Sequence, residues 1–190
     1  MITAIDKNTA LVLIDLQKGI SASGVDLSEV ISSSVLLIDA FRNANLPIVY
    51  VNVIPSGAWQ RSRKEGIPAQ STDVNSYPPE FSELMEEVKT QPSDIFITKQ
   101  SWNAFYETAL HEELKKHNIT NIVLAGVSTS AGVEGTARAA SERGYNISFA
   151  IDAMKDRNPE AHQNSINLVF PRLGEQGTAA EIVEKLISSR

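Results

Sequence analysis

Three short stretches of this chain carry groups that could move a proton or hold an anion. Asp15 closes the apolar run ALVLID, Lys99 directly follows IFIT, and GVSTSAG at 126–132 leads out of NIVLA. A carboxyl can give or take a proton, and its pKa depends on burial and on the nearest cation. A lysine can compensate that charge or hold a substrate carboxylate. A small-residue loop at a helix start presents free backbone N–H groups suited to an oxyanion or an anion. Each also has a purely structural reading: a turn-forming or capping aspartate, a solvated strand-end lysine, an ordinary strand-to-helix turn. The loop is not a phosphate loop, since it has neither the GxxxxGK[ST] nor the GxGxxG pattern.

These stretches matter together because of the elements that must deliver them. Residues 10–16, 48–54, 95–98, 121–125 and 145–151 read as strands, apolar on both faces. Between them lie helical patterns: from Asp26 and Ser28 to about Asn45, then 80–89, 105–117, 132–143 (closed by Gly144), 160–173 and 179–188. Residues 174–178 admit a sixth strand. In the first long helix Val30, Leu37, Ile38 and Phe41 should face the core. Alternating strands and helices, with strands apolar on both faces, predict a parallel sheet covered on both sides. Right-handed crossovers make it a doubly wound α/β fold, expected as a single domain over 1–190. Ligands in such sheets bind beyond the carboxyl ends of the strands, so Asp15, Lys99 and the 126–132 loop are expected at one edge. The 55–79 stretch is the longest irregular segment, of a length that is usually functional.

Composition narrows the function. The apolar fraction is 42%, the charged fraction 21% and the net charge −6, ordinary for a globular chain and unlike a phosphate-backbone binder. No nucleic-acid or membrane partner is expected: no window has the apolar length of a span, and the first residues lack a signal-peptide pattern. There is no cysteine, which excludes disulfides, thiolate metal sites and thiol catalysis. A cytoplasmic location is the simplest expectation.

ALVLIDLQ, the segment KQSWNAFYETAL from Lys99, and GVSTSAGVEGTARAASERGYNISFAIDA resemble, in order and spacing, the landmark segments of the isochorismatase-like or cysteine hydrolase family. The third is the most specific, matching at Gly126, Thr129, Val133, Thr136, Ala137, Ala140, Gly144 and Tyr145, and the resemblance covers residues 6–186. It implies a three-layer α/β/α sandwich and a homodimer or tetramer. It also implies a catalytic trio of aspartate, lysine and cysteine, mapping onto Asp15, Lys99 and position 132, with a cis peptide at Val127–Ser128. Position 132 is glycine, so the family's covalent amidase route is closed. An alcohol nucleophile from Ser128, Thr129 or Ser130 is disfavoured, since none stands at the matching position. The metal site of nicotinamidases has no counterpart after the second strand, and His111, His117 and His162 are expected on helices away from the site. No metal or cofactor is expected.

True isochorismatases resemble this arrangement more closely, since they also carry glycine there. The resemblance therefore implies metal-independent hydrolysis of an enol ether, that of isochorismate or a related small anionic metabolite. Asp15 would be the general acid and Lys99 the charge partner. Gln17, Gln60, Arg61, Arg63, Trp102, Phe105, Val127, Ser128 and Thr129 are the expected substrate-binding residues. Ser128 and Ser130 replace the tyrosine and histidine often found in true isochorismatases, a departure that puts the substrate in doubt. Two alternatives stay open: water-mediated hydrolysis of a small amide, and an inactive small-molecule-binding or interaction protein.

Overall fold

The computed structural model describes residues 1–22, 24–54 and 77–189. Six parallel strands form one sheet in the order β3-β2-β1-β4-β5-β6. They are β1 (Thr9–Ile14), β2 (Ile48–Val53), β3 (Ile95–Lys99), β4 (Asn121–Val127), β5 (Asn146–Lys155) and β6 (Glu175–Gly177). Every residue of β1 and β4 is buried, because both faces of the central strands meet helices. Leu11 and Leu13 point into one core and Ala10, Val12 and Ile14 into the other, so the unbroken apolar run reads as two interleaved faces.

The first core is covered by α2 (Ser28–Asn43) and α6 (Ala179–Ser188), through Val30, Leu37, Ile38 and Phe41 and through Ile182 and Leu186. The second is covered by α3 (Leu110–Lys116) and α4 (Glu134–Glu142), through Leu110 and Leu114 and through Ala137 and Ala140. Before them comes the single turn α1 (Lys18–Ser21), and between β5 and β6 lies α5 (Pro159–Asn164). The result is a three-layer α/β/α sandwich. Local signals explain several boundaries. Thr178 and Glu181 form a reciprocal capping box at the start of α6, and Gly144 takes φ +80° just after α4.

Several expected elements differ. Residues 80–89 form two 3₁₀ turns rather than a helix. The reason is that the backbone between them pairs with the chain after β1: Lys18 N–H donates to the Glu83 carbonyl (2.8 Å) and Met85 N–H to the Leu16 carbonyl (3.0 Å). The helix expected from 105 starts at Leu110, because Glu107 adopts φ +52° and breaks it. The stretch expected as one helix over 160–173 passes from α5 through a π turn (Ser165–Val169) to a 3₁₀ turn (Phe170–Arg172). Finally, β5 runs to Lys155 rather than Ile151, through an irregularity opposite 124–126 of β4.

Candidate active site

The strand order reverses between β1 and β4, and the candidate site lies where their carboxyl ends meet. Ile14 pairs with Gly126 across this junction. β1 stops at Ile14, and Asp15 takes φ +52°, which turns its side chain out of the strand alternation. Its Oδ2 receives a 2.7 Å hydrogen bond from Lys99 Nζ, and the same ammonium donates to the Ser101 carbonyl at 3.0 Å. Lys99 ends the edge strand β3, so its side chain spans the end of β2 to reach Asp15.

The pair is buried, the two side chains being 2% and 8% exposed. Asp15 Oδ1 is also buried and has no hydrogen-bond partner among the described residues. Burial raises the Asp15 carboxyl to about 6, against the opposing pull of Lys99. Of the two influences that compete at this carboxyl, desolvation is the larger.

Across from the pair lies the 128–132 turn. The Val127–Ser128 peptide is cis, and a π turn (Thr129–Val133) then opens α4. Gly132 packs against the acid: a Cβ there would stand 3.3 Å from Asp15 Oδ2, 3.2 Å from the Val127 carbonyl and 2.9 Å from Ile14 Cγ2. Asp15, Lys99 and Gly132 thus converge. Val127 and Thr129 are buried beside them and Ser128 is half-buried. Part of the turn's backbone is occupied, since Ser130 N–H donates to Asp156 and Ala131 N–H to the Ser128 carbonyl.

Gln17 and Phe105, also expected to bind substrate, are taken up by the fold. Gln17 is wholly buried and its amide is taken up by backbone: Oε1 accepts from Val53 N–H (2.8 Å), and Nε2 donates to the Val53 (3.1 Å) and Phe81 (2.9 Å) carbonyls. It braces the end of β2 rather than facing a ligand. Phe105 packs in the second core, stacked on Tyr145 at the amino end of β5 with Arg143 over its ring, away from the carboxyl edge. Trp102 is exposed beside Gly135 at the start of α4. Gln60, Arg61 and Arg63 lie outside the described residues. A groove of about 1070 Å³ sits at the opposite edge of the sheet, where Arg42 is paired with Asp94 at 2.8 Å, and contains none of the three convergent residues.

Two residues at the turn were not anticipated. His162, expected away from the site, has Nδ1 2.8 Å from Thr129 Oγ1, and burial lowers its pKa against the opposing effect of Asp156. Asp156 Oδ2 accepts from both the N–H (2.8 Å) and the hydroxyl (2.7 Å) of Ser130. The rule that singled out Lys99, a charged residue at a strand's carboxyl end, would have found Asp156 had β5 been given its full length. Among the described residues no cluster of three or more His, Asp or Glu is placed to hold a metal. No helix among them is long and apolar enough to cross a membrane.

The family model described as the isochorismatase domain matches residues 9–181. The isochorismatase family protein YwoC of Bacillus subtilis is 38% identical over 182 residues, covering 95% of each chain. Nicotinamidase 3 of Arabidopsis thaliana is 28% identical over 175 residues, covering 86% of this chain and 82% of its own. A solved isochorismatase family protein from Burkholderia thailandensis superposes with a TM-score of 0.88 at 35% identity, covering 98% of this chain and all of its own.

Proposed function

The chain belongs to the isochorismatase family, whose members are hydrolases, and from that premise we propose that it cleaves the enol ether of isochorismate or a closely related small anionic metabolite, without a cysteine and without a metal. The observation that carries this reading is the state of Asp15. It is a buried carboxyl raised to about 6, with one oxygen on Lys99 and the other without a partner among the described residues, facing Gly132, the position onto which the resemblance maps the family's cysteine. A pKa near the working pH is what a general acid needs, and about one molecule in ten holds the proton at pH 7. Asp15 delivers that proton to the terminal vinyl carbon. The adjacent carbon becomes an oxocarbenium centre, water adds to it and returns a proton to Asp15, and the hemiketal collapses to pyruvate and the ring alcohol. Lys99 holds the charge of Asp15 while it is ionised.

A second reading is favoured by two observations: the likeness to a nicotinamidase, and a pKa that leaves Asp15 mostly ionised at pH 7. There the carboxylate is a general base that activates water against a small amide. The pH dependence of kcat separates the two. An acid role makes kcat rise as pH falls through about 6, and a base role makes it fall over the same range. Pyruvate release from isochorismate and ammonia release from nicotinamide, followed across that range, decide between them. Amide turnover with no pyruvate release would defeat the first reading.

A further inference from the structure

The turn carrying Gly132 is held from outside by the segment that follows β5. Asp156 Oδ2 takes both polar hydrogens of Ser130, and its other oxygen, Oδ1, accepts from Asn158 N–H at 3.1 Å, so the carboxylate is itself fixed. Asn158 in turn caps α5, accepting from Glu160 N–H (2.9 Å) and Ala161 N–H (3.3 Å). From α5, His162 meets the wholly buried Thr129. Beyond α5, Ser165 Oγ donates to Glu134 Oε2 (2.6 Å) in the first turn of α4. The ties to Ser130 and Thr129 lie on consecutive residues, and each pairs a turn group with a side chain from the far side.

The inner face of the same turn rests on the acid. A Cβ added at Gly132 would stand only 3.3 Å from Asp15 Oδ2, so the backbone there packs closely over the carboxylate. The turn is therefore part of what buries Asp15, whose side chain is 8% exposed. Hydrogen bonds to an ionised carboxylate are about twice as strong as neutral ones, and two on one oxygen also fix direction.

We propose that Asp156 and His162 are positioning residues, which hold the 128–132 turn over Asp15 from the β5–α5 junction. The inference rests on Asp15 being the reacting group, but it has a readout that needs no substrate. If the turn moves outward, water reaches Asp15 and the desolvation that raises its carboxyl relaxes.

The test uses Asp156→Ala, Asp156→Asn and Ser130→Ala in the full chain. Asp15 is titrated by carboxyl ¹³C NMR, and kcat and KM are measured on isochorismate. Asp156→Ala is expected to bring the Asp15 titration down from about 6 toward the ordinary carboxylate range. It is also expected to lower kcat by about 10²-fold, the size of effect a displacement of about 1 Å produces, while KM changes much less. Asp156→Asn keeps an acceptor oxygen for Ser130 and should recover most of both, with Ser130→Ala intermediate. A structural role alone would lower thermal stability and leave the titration and the kcat-to-KM split alone, which overturns the proposal. Should Asp156→Ala fail to fold, Ser130→Ala and Thr129→Val carry the test, and an unmoved Asp15 titration in both overturns it as well. A titration that moves in a protein inert toward isochorismate supports the positioning role while defeating the proposed substrate.

Discussion

Asp15→Asn removes the ionisable group and little else. Asp15 sits at φ +52°, where asparagine is among the few side chains at ease, whereas alanine would add backbone strain. The amide oxygen can still accept from Lys99, which also keeps the Ser101 carbonyl at 3.0 Å. Loss of a positioned acid predicts a fall of about 10²–10⁴-fold in kcat on isochorismate, with binding largely retained. The stability consequence is independent of substrate. The carboxyl lies at about 6 in the folded chain, against roughly 3.9 in the unfolded one. Because the folded value is the higher, the folded state binds the proton more tightly. The resulting stabilisation is absent well above pH 6, grows as pH falls through 6, and is complete below about 4. A rise of that size corresponds to about 3 kcal/mol. Asparagine has none of it. Facing Lys99 with a neutral amide offsets the variant, but it is the pH dependence that reads Asp15. Urea denaturation of both proteins near pH 7.5 and near pH 4 should show the wild type gaining about 2 kcal/mol relative to the variant at the lower pH, most of the limiting value. Parallel stability curves would refute the raised carboxyl, and undiminished turnover by Asp15→Asn would remove it from the chemistry.

Gly132→Cys brings a Cβ to 2.9 Å from Ile14 Cγ2 and 3.2 Å from the Val127 carbonyl. It should cost about 1–3 kcal/mol by overpacking and give no gain on isochorismate; faster pyruvate release would contradict the enol-ether reading. Exhaustive chelation should leave turnover intact, because the described residues supply no ligand cluster of the kind a catalytic zinc requires. Recovery of lost activity on adding zinc or magnesium is the contrary outcome. Gln17→Leu strands the Val53 N–H and two carbonyls and should cost at least about 2 kcal/mol in urea denaturation; a shift under about 0.5 kcal/mol would mean the brace contributes little.

The sheet was legible because parallel strands buried on both faces leave continuous apolar runs, and the strand-end rule then pointed to Asp15 and Lys99. What escaped the reading depends on partners far along the chain. Gln17 looked like a ligand residue because it follows the acid, yet its amide completes the backbone of Val53 and Phe81. Nothing within 80–89 announces that Leu16 and Lys18 will take up its backbone and prevent a helix. Phe105 sits close to Lys99 in sequence, but the chain turns back after β3 and carries it into the second core beside Tyr145. His162 gave no signal at all, since a histidine on a helix looks the same whether it faces solvent or Thr129.

Among the described residues Asp15 and Lys99 are the only charged ones buried as whole residues, backbone and side chain together. A buried ion pair is a poor way to stabilise a fold, since apolar residues of the same volume often do better. Here the fold disfavours the ionised acid, as the raised carboxyl records. The pair nevertheless stands at the junction where the strand order reverses, with one carboxylate oxygen unpartnered among the described residues and a glycine opposite. Its surroundings bear on that geometry: Gln17 ties down the end of β2 beneath the lysine, Ser101 takes a second hydrogen of the ammonium, and Asp156 holds the turn that roofs the acid. Support of this kind around an arrangement that costs stability is the pattern of a reactive group held at a working pKa.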